Sequence, residues 1–290
     1  MIKLIASDMD GTLLNDKMEV SEQNAKAIKA AQEAGIEFLV ATGRSIKEAK
    51  PFFEQANIKS GLITLNGAEI FDTDANVVES FPITSNTASK VTTILDNNDI
   101  YYEITTNKGV FSNSYESRLN GFVDIMIQLN PDLTHDEAVK VSEEKLKVMS
   151  TQYIDSYDQL LDNSEYEILK IIAFSSNGRE YLADLVTHLS EEEKLIITSS
   201  SSNNIEINDY NAQKGFALMD YAKKHGYQPD EVMAIGDNLN DFSMIEMAGT
   251  GVAMKNAISE IKEIADVETD TNINDGVAKI IKKAINDLTD

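Results

Sequence analysis

The stretch KLIASDMDGTLL (Lys3–Leu14) decides how the rest of the chain is read. Its first half, KLIAS (3–7), is a short apolar run that reads as a buried strand ending at Asp8. Asp8 and Asp10 then stand one residue apart, ahead of Gly11 and a second apolar pair. Two carboxylates about 4 Å apart repel by about 4 kcal/mol at an effective dielectric near 20. Something else in the chain has to offset that repulsion.

Working outward, SEQNAKAIKAAQEAG (21–35) has helical spacing, with Ser21 as N-cap and Gly35 as stop. IEFLVA (36–41) is a second buried strand, and SIKEAKPFFEQA (45–56) opens with a capping box, Ser45 and Glu48. GLITL (61–65) is a third strand, followed by a hairpin through AEIF and VVESF. Buried strands alternating with amphipathic helices predict a parallel sheet with helices on both faces.

The rhythm changes after Pro82. Residues 84–97 read as a helix, 101–107 and 110–114 as a hairpin turning at Lys108-Gly109, and the chain to about 161 as mostly helical. A strand (167–175), a helix (179–190) and a strand (194–198) follow, and the polar run 199–204 reads as a hinge back. Helix 214–226, strand 231–236, a helix over 241–248, strand 251–254 and a last helix near 275–287 resume the first pattern. The expected fold is α/β, a doubly wound parallel-sheet (Rossmann-like) core of residues 1–83 and 200–290 interrupted by an α/β insert, 84–199.

Composition narrows the function. The 290 residues hold 49 acidic and 25 basic side chains, a net charge of −24, which argues against nucleic acid or an anionic membrane as partner. With no cysteine, thiolate zinc sites and cysteine nucleophiles are excluded, and three histidines make a His-rich metal site a poor expectation. The N-terminus turns acidic too soon for a signal peptide, and no run approaches the ~20 apolar residues of a spanning helix. A cytoplasmic protein is expected.

In open α/β sheets ligands bind outside the carboxyl ends of strands. Asp8 ends the first strand, and ATGRS puts Thr42 and Gly43 between the second strand and a helix start, where backbone N–H groups favour an anion. GDNLND puts Asp237, Asn240 and Asp241 after the strand at 231–236, and Lys214 begins the preceding helix. A calcium loop starting at Asp8 is an alternative, with Asp10 at position three, Thr12 at five and Glu19 at twelve. It fails at position six, where Leu13 replaces the glycine of the sharp turn, and a strand, not a helix, precedes it.

These segments resemble the haloacid dehalogenase (HAD) superfamily, and within it the Cof-type phosphatases with a type IIB cap. DMDGTLL is similar to that family's first motif, ATGR to the second, Lys214-Gly215 to the third and GDNLNDFSM to the fourth. LNGAEI, GVAMKNA and NDGVAKII are also similar, and the insert resembles the family's α/β cap in placement and element order. The resemblance implies a Mg²⁺-dependent phosphatase of small phosphorylated metabolites. It implies Asp8 as the nucleophile that forms an aspartyl phosphate. Asp10 would be general acid and then base, carrying a proton in the first step, which acidic neighbours favour. Asp8, Asp237 and the Asp10 carbonyl would hold the metal, and Asp241 would orient a water or Lys214. Lys214 would hold Asp8 and the phosphoryl group, whose oxygens would meet Met9, Thr42, Gly43 and Asn240.

Arg44 and Asn66 lie beside these strand ends, either touching substrate or serving a helix-start salt bridge and a turn. In the insert, Tyr101, Tyr102, Arg118 and Lys170 are substrate candidates set against packing roles. Two other functions are weighed for the same residues: a phosphotransferase or mutase on this scaffold, and a receiver-type module that signals through phospho-aspartate, which the large insert and the late GDNLND fit poorly.

Overall fold

The computed structural model describes residues 1–130, 133–148, 150–175, 177–199 and 203–287. The chain begins with β1 (Leu4–Asp8), α1 (Glu22–Glu33), β2 (Glu37–Ala41), α2 (Ile46–Gln55), β3 (Gly61–Thr64), β4 (Glu69–Phe71) and β5 (Val77–Ser80). The middle holds α3 (Ser85–Asn97), β6 (Tyr101–Thr106), β7 (Gly109–Ser112), α4 (Tyr115–Leu129), α5 (His135–Val148), β8 (Thr151–Tyr153), α6 (Asp158–Leu161), β9 (Ile168–Phe174), α7 (Arg179–Glu193), β10 (Leu195–Thr198) and β11 (Asn204–Asp209). It closes with α8 (Lys214–Lys224), β12 (Val232–Gly236), α9 (Phe242–Met247), β13 (Thr250–Ala253), α10 (Ser259–Ile264), β14 (Val267–Glu268) and α11 (Gly276–Asn286).

Two compact units result: Met1–Phe81 with Asn211–Asp290, and Pro82–Tyr210. In the first, eight strands run in the order β14-β13-β12-β1-β2-β3-β4-β5. The six from β14 to β3 are mutually parallel, and β4 and β5 add antiparallel at one edge. The chain winds outward from β1 through β2 and β3, then returns to build β12, β13 and β14 on its other side. The topological switch therefore lies between β1 and β12, where α/β sheets place ligands. Leu4, Ile5, Phe38, Leu39, Val232 and Ile235 are buried, as continuous apolar runs require when both faces of a parallel sheet are covered. Around this sheet α1 packs on α11 and α8 on α9. Ser21 caps α1 by accepting from the Asn24 N–H at 3.1 Å.

The second unit is a six-stranded sheet ordered β10-β11-β9-β6-β7-β8, antiparallel except for the β7–β8 pair. Ala88, Val91 and Leu95 of α3, Leu182 and Val186 of α7, and Leu160 of α6 cover Tyr102, Ile104, Ile171, Ala173, Ile205 and Ile207. Alternation along a strand sends Tyr101, Glu103, Thr105, Lys170 and Glu206 to the opposite face.

The expected boundary at 199/200 moves to 210/211. NIEIND (204–209) is not part of a return linker: it is β11, seated between β9 and β10 in the insert's sheet. Its alternation of Ile205 and Ile207 with polar residues was the available signal. Of the hinge expected over 199–204, residues 200–202 lie outside the described residues. At the other crossing the insert begins with Pro82, because the Ile83 N–H donates to Ile168 O in the insert's own sheet at 2.7 Å. The short strands β8 and β14 were also unexpected; at three and two residues they are too brief to show a period. No described helix is long and apolar enough to cross a membrane.

Candidate active site

β1 delivers Asp8 to the carboxyl edge of the parallel sheet. Asp8 pairs with Ala41 in β2, which puts Thr42 one residue past it on one side. Ser7 pairs with Ile235 in β12, and by the same register Asp237 lies one residue past Asp8's level on the other. Pairing alone thus sets one carboxylate between a threonine and a second carboxylate.

Lys214 enters from the first turn of α8. Its Nζ donates to Asp8 Oδ1 at 2.5 Å and to Asp241 Oδ1 at 2.7 Å, and it is fully buried. The following glycine explains how a helix start gets so close. A Cβ on Gly215 would lie 2.3 Å from the Ser243 carbonyl oxygen, so only glycine lets α8 meet the chain at α9. Asp241 is also fully buried, and its Oδ2 accepts from the Asp237 and Asn238 N–H groups at 2.9 and 3.0 Å. The aspartate thereby closes the turn after β12 and neutralises the lysine in one stroke. Thr12 donates its hydroxyl to Asp237 Oδ1 at 2.7 Å. Gly11, at φ +81°, brings the backbone so near Asp237 that a Cβ would sit 2.5 Å from Oδ2.

One carboxylate oxygen from each of Asp8, Asp237 and Asp241 lies within 4.8 Å of the others. Burial first, then the Asp241 and Asp237 charges, raise the Asp8 carboxyl well above its usual range, against the pull of Lys214. Asp237 is pushed up to about 6 by burial and then by Asp241, with Thr12 and Lys214 opposing. Burial works against the Lys214 charge, but Asp241 and Asp8 beside it more than offset that and hold the ammonium above the usual lysine range. Three carboxylates therefore face a single cation, leaving a net deficit of positive charge in a desolvated place. The donors are all oxygen, with neither thiolate nor imidazole among them, so the cluster fits a hard divalent cation.

Asp10 sits apart from this cluster. Arg44 forks its carboxylate, Nε to Oδ2 at 2.8 Å and Nη2 to Oδ1 at 2.6 Å. The neighbour expected of Asp10 was acidic, and the structure supplies a guanidinium. Arg44 is thus in a salt bridge beside the α2 start, and its Cζ lies over the Phe52 ring, 5.0 Å from the centroid. Thr42 is buried and its Oγ1 accepts from the Arg44 N–H at 3.2 Å. The α2 start is partly used by its own chain: Glu48 accepts from the Ser45 N–H at 2.9 Å and from its hydroxyl at 2.7 Å. Asn66 adopts φ 63° in the turn after β3 and accepts from Asn240 Nδ2 at 3.3 Å. Its Oδ1 lies 2.9 Å from where a Gly43 Cβ would be, which joins Gly43, Asn66 and Asn240 into one polar group. Met9 is buried, with its carbonyl accepting from the Leu14 N–H at 2.9 Å.

In the insert, Tyr102 is a packing residue: it is buried and stacked on Tyr157 with centroids 4.7 Å apart. Tyr101 donates to Glu103 at 2.9 Å, Arg118 pairs with Glu103, and Lys170 lies 3.5 Å from Glu206. Thr12 enters the sequence analysis only as position five of the rejected calcium loop, although it stands inside the first motif. Its hydroxyl contact is 225 positions away, and no local pattern announces it.

The chain matches the family model of haloacid dehalogenase-like hydrolases over residues 5–281. It is 35% identical to a phosphatase of Bacillus subtilis, YwpJ, over 97% of this chain and 99% of that protein. It is 34% identical to the B. subtilis 5-amino-6-(5-phospho-D-ribitylamino)uracil phosphatase YcsE, over 97% of this chain and 95% of the other. A solved haloacid dehalogenase-like hydrolase from B. subtilis superposes with a TM-score of 0.82 at 35% identity, covering 97% of this chain and 99% of that one.

Proposed function

Since the chain belongs to the haloacid dehalogenase superfamily as a Cof-type phosphatase, we propose that it hydrolyses small phosphorylated metabolites in the cytoplasm through an aspartyl phosphate on Asp8. The observation that carries this reading is the cluster of buried Asp8 and Asp241 and half-buried Asp237 at the sheet's switch point, with Lys214 bound to the two buried members.

Lys214 holds Asp8 Oδ1, which leaves Oδ2 to attack phosphorus. The Oδ2–P bond forms as the ester P–O bond breaks, and the leaving oxygen takes a proton from Asp10. A water then attacks the phosphoryl group, Asp10 takes back a proton, and the Oδ2–P bond breaks to release inorganic phosphate. Arg44 grips both oxygens of Asp10 at rest, so proton transfer requires that fork to open. The incoming phosphate dianion is a competing partner for the guanidinium. Thr42, the Gly43 and Met9 N–H groups and Asn240 receive the phosphoryl oxygens, and Asp241 keeps Lys214 aimed at Asp8. Asp8, Asp237 and the Asp10 carbonyl would hold Mg²⁺, which when bound supplies positive charge against the carboxylates and the phosphoryl oxygens. We read the insert as the family's cap.

The substrate class we propose includes phosphorylated sugars and polyols, in line with the phosphoribityl compound named for one relative. The test is a turnover screen with Mg²⁺ over sugar phosphates, nucleotides, pyridoxal phosphate, flavin mononucleotide and the phosphoribitylaminouracil. Inorganic phosphate released without any acceptor supports hydrolysis. Turnover only when a sugar acceptor is present would make the chain a phosphotransferase instead.

A further inference from the structure

Three asparagines reach the turn that carries the reacting aspartates, and each donates its amide to a backbone carbonyl there. Asn256 Nδ2 donates to Gly11 O at 2.8 Å, Asn24 Nδ2 to Leu13 O at 3.1 Å, and Asn272 Nδ2 to Leu14 O at 2.9 Å. The other ends of two of these amides are anchored in the C-terminal segment. Asn256 Oδ1 accepts from the Asn272 N–H at 3.1 Å, and Asn24 Oδ1 from the Ala278 N–H at 2.9 Å. The turn between Asp8 and Leu14 is therefore strapped to residues some 250 positions away by side-chain amides acting in series.

Asn256 holds the most consequential of these carbonyls. The Gly11 carbonyl belongs to the peptide that leads into Thr12, whose hydroxyl fixes Asp237 at 2.7 Å. On the other side of that peptide the Gly11 Cα stands against Asp237 with no room for a methyl group. A few tenths of an ångström lost at the Gly11 peptide is therefore felt at Asp237. Asn256 itself is exposed, so it is not there to fill a core. Exposed asparagines commonly serve only to form their own turn, but this one joins two remote segments by both ends of its amide.

We propose that Asn256 is a positioning residue for the metal site: it acts through Gly11 and Thr12 to hold Asp237 in place for the divalent cation. The inference rests on the reading of Asp8 and Asp237 as metal ligands. Loss of a group bonded directly to a metal ligand, as Thr12 is to Asp237, typically changes metal affinity by roughly ten- to a hundredfold, and Asn256, a step further out, should act at the low end of that range.

The experiment uses the full chain and compares wild type, Asn256→Ala and Asn256→Asp. Asp keeps the shape and the acceptor for Asn272, but loses the donor and sets an oxygen against the Gly11 carbonyl. Melting temperature is followed against Mg²⁺ concentration, with half-activating Mg²⁺ and kcat for an aryl phosphate measured alongside. The expected result is a half-saturating Mg²⁺ raised about tenfold in Asn256→Ala and further in Asn256→Asp, with kcat at saturating metal changed much less. If both variants melt lower without metal yet keep the wild-type Mg²⁺ dependence, the residue is merely structural and the inference is overturned. If wild type itself shows no Mg²⁺-dependent shift, the ligand assignment fails and takes the inference with it.

Discussion

The two units treat buried charge in opposite ways. In the parallel-sheet unit, Lys214 binds Asp8 and Asp241 while Asp237 sets a third carboxylate beside them, and burial lifts the Asp8 and Asp237 carboxyls out of their usual range. In the insert the buried ions are matched: Arg118 against Glu103, and Lys170 near Glu206. Both arrangements give up hydration, and pairing opposite charges offsets part of that cost through mutual attraction. The unmatched cluster does the same only if something cationic is added. An imbalance of buried charge, more than buried charge as such, is what sets the candidate site apart from the insert.

Asp8→Asn probes the imbalance hardest. Turnover should fall by roughly four to six orders of magnitude, as when a nucleophile is removed elsewhere. The metal-free protein should melt no lower than wild type, because one of the repelling charges is gone. Retained turnover would remove Asp8 as nucleophile.

Lys214→Met should destabilise the metal-free protein by about 3–5 kcal/mol, the usual effect of stranding a buried charge. Mg²⁺ should restore much of that loss. Arg118→Met in the insert leaves Glu103 buried and should lose a similar amount, with no recovery on adding Mg²⁺. Equal metal responses in the two variants would erase the distinction between the units.

The distinction also has a pH signature. Asp237 moves from an ordinary 3.8 to about 6 on folding. Between those values the folded chain keeps a proton that the unfolded chain has lost, so stability is present at low pH and falls as pH rises through about 6. Asp8 shifts in the same direction. Thermal melts of chelator-treated protein from pH 4 to 7 should show this decline, on the order of a few kcal/mol, and Asp237→Asn should flatten it. A melting temperature that climbs across that range in wild type, relative to Asp237→Asn, would contradict the shift.

The smallest effect is expected at Arg44. Its bridge to Asp10 is partly exposed, so Arg44→Ala should change stability by less than about 1 kcal/mol. If the guanidinium passes from Asp10 to the substrate, KM should rise while the melting temperature stays. An unchanged KM would confine Arg44 to its salt bridge.

Much of the parallel-sheet unit was legible from residue order. The apolar run ending at Asp8, the Ser21 and Ser45 caps and the polar tails ATGR and GDNLND follow from local periodicity and backbone chemistry. The limits of the insert were less so, because the alternation in NIEIND marks a strand without saying which sheet takes it. Hydrogen-bond partners in β9 and β10 made that choice. Arg44 on Asp10 and Asn256 on Gly11 were hidden for a related reason: a side chain's partner across a fold leaves no trace in the spacing of its own segment.

Local sequence, then, determined which segments become strands and which polar residues end them, since those depend on neighbours within a few positions. Tertiary structure alone decided how the charges are counted. Only when β1, β12 and the start of α8 are brought side by side do three aspartates gather around a lysine that binds two of them, and only in that desolvated place does the shortage of positive charge acquire chemical force.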